Sequence, residues 1–352
     1  MFEAAQRILT QALEGHVIHG FSLAVGKRDK PLFELCGGKL GGEGTPSVTP
    51  DTRYDLDSPT QMMITVPLLL LALENGLLTL RDPLSLYMKV PRDKAGLTLL
   101  QLLTHTAGLP SGFLLEQEAE TIEDALSTLL RQPLSPQTGK RCRYSEMGFL
   151  LLGLVLEKVY AMPLDTLAKK YLCTPLGLTS TSYLPTGGNI AFTATDTLTG
   201  EPFIGLSSDK NTRFLHGVSG AAGLFTTAGD CRRYLSMLAQ NGHFNGYPFL
   251  TREALSLFAA DHTSGLKEAW GLGVRLALRN DAYPGELWSG ASYGLTGQTG
   301  CMLAVDPASG IHAAFLCNRV HMSHERQAFR RLLTLLFTSL HAQGARMGAQ
   351  EE

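Results

Sequence analysis

No long apolar run, no closely spaced pair of cysteines and no excess of one charge marks this chain of 352 residues. The longest apolar stretch, Met62 to Leu73, is interrupted by Thr65 and Pro67 and falls short of the roughly 18 residues that a membrane span needs. It reads as a buried helix, and no membrane partner is expected. The six cysteines (Cys36, Cys142, Cys173, Cys231, Cys301 and Cys317) lie far apart, which argues against a zinc site or a disulfide frame and fits reduced, mostly buried thiols. With 30 basic and 32 acidic residues the formal charge is −2, too weak a field to hold nucleic acid. The sequence has no Walker loop and no strand-to-helix Gly-x-Gly-x-x-Gly, so no cofactor is expected. His321, His324 and Glu325 stand at metal-ligand spacing, but an exposed helix end explains them better. The start, Met1 to Arg7, lacks the positive and then apolar character of a secretory signal, and a cytoplasmic location is the expectation. A small-molecule substrate or ligand remains as the expected partner, and the residues leave the oligomeric state open.

What is present is enough apolar sequence, 44% against 18% charged, to bury a large core. Phe2, Ala5, Ile8, Leu9, Ala12 and Leu13 share one helical stripe before a stop at Gly15. The runs 21–25 and 31–35, joined by a charged turn, predict a hairpin, and the glycine-rich stretch 37–44 a loop. Helical periodicity then dominates at 59–75, 97–104, 121–131, 146–160, 163–171 and 228–240. Strand-like runs return at Ala269–Ala277, Leu287–Tyr293, Thr299–Val305 and Ile311–Asn318, before a last helix over 325–341. The pattern predicts an α+β fold in which both chain ends build one antiparallel sheet, covering about 1–58 and 243–342, with a mainly helical region inserted over 59–242. One domain over 1–342 and a disordered tail over 343–352 are expected.

Three segments carry chemistry. In Asp57-Ser58-Pro59-Thr60-Gln61 a serine precedes an apolar helix, and Ser-Pro-Thr-Gln is also a capping box, with serine as N-cap, proline at the first helical position and glutamine reaching back to the cap N–H. These four residues alone favour the cap. Leu99-Leu100-Gln101-Leu102-Leu103-Thr104-His105-Thr106-Ala107-Gly108-Leu109-Pro110 reads as a helix ended by a turn, with His105 a packing residue. Tyr144-Ser145-Glu146 opens a further helix, where Tyr144 reads equally as a packed aromatic and Glu146 as a first-turn acid. Tyr293-Gly294-Leu295-Thr296-Gly297-Gln298-Thr299-Gly300 reads as a strand running into a bend, glycine admitting a close backbone approach.

Together these stretches resemble the superfamily of serine β-lactamases and penicillin-binding proteins, in particular its class C β-lactamase-related members, over about residues 2–340. The segments 209–211 and 217–228 fit the same resemblance; Ser219 is not in a Gly-x-Ser-x-Gly elbow. The resemblance implies the β-lactamase/DD-peptidase-like fold and a reactive serine at Ser58, and it sets the nucleophile and the cap level. It also exposes two departures: Gln61 stands at the lysine of Ser-x-x-Lys, and Leu295 at the lysine or histidine of Lys/His-Thr-Gly. An amide does not titrate near neutral pH, so Gln61 cannot serve as a general base. Tyr144 takes the tyrosine place of Tyr-x-Asn and Glu146 its third position, where a carboxylate raised toward neutrality would act as a base. Thr296, Gly297 and Gln298 take the substrate-binding strand, with the backbone N–H groups of Ser58 and Gln298 as the implied oxyanion hole. The expected function is a slow or altered serine hydrolase or acyltransferase acting on a small ester or amide, and an unlikely β-lactamase. The alternative is a silent relative that binds a ligand or protein.

Overall fold

The computed structural model describes residues 2–196, 199–278, 283–319 and 326–348. The amphipathic first segment forms α1 (Glu3–Glu14) and leads into the hairpin β1 (Gly20–Lys27) and β2 (Lys30–Gly38). A short strand, β3 (Tyr54–Asp55), precedes the long apolar helix, whose first full turn, Gln61–Thr65, is widened to π geometry before α2 (Val66–Glu74). Then follow α3 (Leu99–Leu103), α4 (Ile122–Arg131), α5 (Met147–Tyr160) and α6 (Leu164–Ala168). Short strands β4 (Ser182–Tyr183), β5 (Ala194–Thr195) and β6 (Pro202–Phe203), the single-turn α7 (Lys210–Phe214) and β7 (Leu224–Thr226) come next. The chain continues through α8 (Ala228–Ala239), the ribbon β8 (His243–Phe244) with β9 (Tyr247–Pro248), α9 (Arg252–Ala259), β10 (Arg275–Leu276), β11 (Tyr293–Thr296), β12 (Met302–Val305), β13 (Ile311–Cys317) and α10 (Arg326–Gly348).

The main sheet has the order β10-β11-β12-β13-β1-β2 and is antiparallel throughout. The two chain ends meet where Phe21 pairs with Cys317 and Val25 with Ala313. Side chains alternate between two cores, as the two-residue period of a strand requires. Ala313, Phe315 and Cys317 face α1 and α10, beside Leu9, Leu336 and Phe337. Ala314 and Leu316 face the larger core that holds Leu235 of α8, Phe149 of α5 and Leu69 of α2. The expected α+β arrangement is therefore the observed one. Among the described residues no single helix is long and apolar enough to cross a membrane, and all six cysteines are free thiols, four of them buried.

The structure corrects the reading in several places. Leu287–Tyr293 is not a strand: the Trp288 indole N–H donates to the Phe337 carbonyl at 2.7 Å, which ties this segment to α10, and β11 begins only at Tyr293. The expected strand over 269–277 shrinks to Arg275–Leu276. Helices α7 and α9 had no counterpart in the reading. α8 sits within the expected helical insertion but packs on the sheet, where Ser236 Oγ donates to the Arg28 carbonyl at 2.7 Å. The expected tail is helical as far as Gly348, because Gly344 lies close against Ile311 and Met347 packs on the α1/α10 core. His321, His324 and Glu325 lie outside the described residues.

Candidate active site

Four parts of the chain converge on Ser58: the turn before the long helix, the start of α5, the end of β11 and the loop before β10. Ser58 directly precedes the helical run that Pro59 opens. The capping box does not form. The Gln61 side chain turns away from the Ser58 N–H, and its amide donates to the Tyr144 phenol oxygen at 2.7 Å. The phenol in turn donates to Ser58 Oγ at 2.8 Å. Gln61 is fully buried, its amide also reaches the Ala221 carbonyl at 3.4 Å, and its Oε1 has no partner among the described residues, which costs free energy. Ser58, Tyr144 and Gln61 are thus brought together as one hydrogen-bonded line.

Tyr144 is held from below by aromatic packing. The His105 ring lies 4.5 Å from it, centroid to centroid, and 4.6 Å from Trp270. His105 adopts a left-handed backbone (φ 55°), is buried, and accepts from the Ser145 N–H at 3.4 Å. Burial lowers its pKa to about 3, so the imidazole stays neutral and acts as a packing surface, as its sequence setting suggests. Burial, with the Asp57 carboxylate next, pushes the Tyr144 phenol up from its ordinary value. With Gln61 and Leu295 at the positions where the resemblance leads one to look for a cation, Tyr144 is a neutral phenol that donates.

Glu146 lies at the start of α5, and its Oε1 accepts from Asn211 Nδ2 at 2.6 Å. The same buried amide also donates to the Phe113 carbonyl at 2.8 Å, fixing Asn211 between two loops. Burial first, and the carboxylate of Asp209 second, raise the Glu146 carboxyl well above the usual carboxylate range. Near neutral pH it keeps its proton, which makes it a donor and ill suited to take one from Ser58.

The far wall is the end of β11. Leu295 is buried and pairs with Leu303, Thr296 is half-buried, and Gln298 follows in an exposed turn. Gly297 allows this wall to close on the serine turn: a Cβ there would stand 2.4 Å from the Leu56 carbonyl oxygen and 3.2 Å from Asp57 Cβ. The approach brings the Gln298 N–H onto the carboxylate of Asp57. The resulting cleft, about 440 Å³, is lined by Asp57, Ser58, Tyr144, Glu146, Leu295, Thr296, Gly297 and Gln298, together with Glu268, Trp270, Arg275 and Tyr283. The last four and Asp57 were not singled out from the sequence. Asp57 was findable as the acid adjoining the serine; the others come from loops whose sequence carries no motif.

Asp57 is buried and left-handed (φ 57°), with its N–H donating to Asp55 Oδ1 at 3.0 Å. Its Oδ2 accepts from Ser58 Oγ at 3.4 Å as well as from the Gln298 N–H. Burial, and then the neighbouring acids Asp55 and Asp209, raise this carboxyl to about 7.

Known proteins share this framework. An N-acetylmuramyl-L-alanine amidase of Bacillus subtilis (strain 168) is 29% identical over 311 residues, covering 77% of this chain and 68% of its own. A Salmonella typhi protein named “Putative D-alanyl-D-alanine carboxypeptidase” is 28% identical over 314 residues, 78% of this chain and 71% of its own. The solved structure of EstCE1, a hydrolase with promiscuous acyltransferase activity, superposes with a TM-score of 0.75 at 21% identity, covering 94% of this chain and 97% of that one. The family model for Beta-lactamase matches residues 5–336. The chain belongs to the beta-lactamase family.

Proposed function

We propose that the chain is a serine hydrolase or acyltransferase that acts on a small ester or amide through an acyl group carried on Ser58. The observation that carries this reading is the hydrogen bond from the Tyr144 phenol to Ser58 Oγ, at 2.8 Å, on the wall of an open cleft. A serine serving only as a helix cap has no need of such a partner. In the proposed reaction Ser58 Oγ bonds to the carbonyl carbon and the ester C–O or amide C–N bond breaks. The serine proton ends on the departing alcohol or amine, with Tyr144 taking it while giving up its own. Water, or another alcohol or amine, then receives the acyl group. The relatives named above as amidase and carboxypeptidase support an acyl-transfer reading of the same scaffold. A cleft of about 440 Å³ suits a small substrate.

The rate is expected to be low. Gln61 cannot take a proton, Glu146 holds its own, and base assistance typically contributes roughly 10²- to 10⁴-fold. With Gln61 and Leu295 in place of the two cations that the resemblance leads one to expect, a β-lactam carboxylate lacks its usual anchor beside Ser58, which disfavours efficient β-lactamase action. The test is a fluorophosphonate probe followed by intact-mass and peptide mass spectrometry. Adduct on Ser58 in the wild type and none in Ser58→Ala supports the reading; a Ser58 that stays unlabelled after prolonged exposure in the wild type and in Asp57→Gly alike removes it.

A second reading, a silent relative that binds a ligand or protein in the cleft, is favoured by one observation. The Gln298 N–H, which the oxyanion of any acyl transfer would need, is already engaged by Asp57.

A further inference from the structure

The Asp57 carboxylate is the focus of donors that converge from two separate parts of the chain. The Gln298 N–H arrives from the turn after β11, and the Ser58 hydroxyl, from the adjoining residue, stands 3.4 Å from Oδ2. A backbone N–H aimed at an oxygen beside a serine hydroxyl is the kind of donor that stabilises a carbonyl oxygen as negative charge builds on it. When ionised, a carboxylate oxygen in that position is chemically close to the oxyanion that the Gln298 N–H would receive.

The placement is built into the backbone. Asp57 holds a left-handed conformation that few residues other than glycine adopt cheaply, although aspartate tolerates it better than most. Its own N–H is fixed by Asp55, and Gly297 has no Cβ to keep the two walls apart. From these contacts we propose that Asp57 is a resident occupant of the oxyanion hole, a self-inhibitory carboxylate that a substrate carbonyl must displace before Ser58 can be acylated. The proposal rests on the reading of Ser58 as the acyl acceptor.

Energetics support the inhibitory sense of this contact. Once ionised, above about pH 7, the Asp57 carboxylate accepts N–H bonds roughly twice as strongly as a neutral ester or amide oxygen, so there the resident wins against a weak substrate. The groups around it set how firmly it holds. Asp55 and Asp209 repel its charge, the Tyr144 phenol and the Glu146 carboxyl face it from α5 and the loop before it, and Glu268 and Arg275 line the same cleft from the opposite side. A substrate able to place a hydrogen-bond donor or cation where the Asp57 side chain swings out would favour its release. In the chemical step itself Asp57 is not a partner: the acyl–oxygen bond forms at Ser58, the leaving group takes the proton, and the carboxylate is only moved.

The experiment compares the fluorophosphonate labelling rate of the full chain for wild type, Asp57→Gly, Asp57→Asn and the double variant Asp57→Gly/Ser58→Ala. Glycine suits φ 57° and empties the hole, so labelling of Ser58 should rise at least tenfold, against the 10²- to 10³-fold worth of an oxyanion donor. Asparagine keeps the shape with a neutral acceptor and should give a smaller rise, which also covers the case in which the glycine variant folds poorly. The double variant should show no adduct. If wild type is labelled and both Asp57 variants react at its rate or slower, the inhibitory role is overturned while the acyl-acceptor reading stands. If Ser58 is unlabelled in every variant, both fall.

Discussion

The imidazole of His105 lies under the ring of Tyr144, with 4.5 Å between centroids, so the phenol that reaches Ser58 is positioned by a residue that touches neither the serine nor the cleft. His105→Ala should therefore act through Tyr144. We expect a loss of ~2–4 kcal/mol in unfolding free energy from the buried cavity, as for other large-to-small core changes. A fall in Ser58 labelling should accompany it, measured at a temperature where the variant is fully folded. Unchanged labelling would show that Tyr144 needs no support from that side.

Tyr144→Phe removes the donor to Ser58 and the acceptor for Gln61 while keeping the ring. Labelling of Ser58 should drop by about 10²-fold or more, with a urea melt showing at most ~1–3 kcal/mol of cost from the buried Gln61 amide left without that partner. Equal labelling in wild type and variant would take the phenol out of the reaction.

The paired change Gln61→Lys with Leu295→His restores titratable groups beside Ser58. Hydrolysis of a chromogenic ester should rise at least tenfold, since base assistance is typically worth ~10²–10⁴-fold. A fall instead would mean that glutamine and leucine belong to a working variation.

Titration of Asp57 should appear in stability. Its carboxyl is raised from 3.8 to about 7, chiefly by burial and then by Asp55. Between those values the folded chain holds a proton that the unfolded chain has released, so this group's stabilising effect is complete below pH 4 and is lost as pH rises through 7. Asp57→Asn removes the dependence. Urea melts should show the variant gaining on wild type from pH 4 to pH 8, with a ceiling of ~4 kcal/mol at ~1.4 kcal/mol per pH unit. A difference that stays flat over that range would falsify the assignment of the titration to this carboxyl.

Gly297→Ala tests the close approach of β11 to the serine turn. A methyl 2.4 Å from the Leu56 carbonyl has to push the walls apart, so unfolding free energy should fall by ~1–3 kcal/mol and labelling of Ser58 should change. Full retention of both would show that the turn has room to spare.

Much of the framework is legible in the residues. The nearly continuous apolar run in 311–317 and the stripe in 2–14 are strong signals because the strand is buried on both faces and the helix on one. Leu287–Tyr293 misleads because Leu287, Trp288 and Tyr293 look like a strand, whereas the Trp288 N–H is spent on α10. Short helices such as α7 carry less than two turns of pattern. At the site, Ser58, Tyr144 and the 295–298 segment were recognisable as motifs, and the same local pattern suggested a cap that does not form. Gln61 points at Tyr144 because a partner 83 positions away in the chain outcompetes the adjacent backbone N–H. Asp57 was overlooked for the same reason: an acid beside a serine reads as solvated loop until the fold brings Gln298 to it.

The pairing of β1 with β13 has a consequence for how the molecule comes into being. The hairpin of β1 and β2 leaves the ribosome with one edge of β1 unsatisfied, and its neighbour in the finished sheet, β13, is synthesised nearly 300 residues later. Ser58 and Tyr144 emerge well before the backbone N–H of Gln298, which arrives after β11. The nascent chain therefore carries the serine long before it carries the wall that completes its pocket, and the proposed chemistry at Ser58 would wait on that wall.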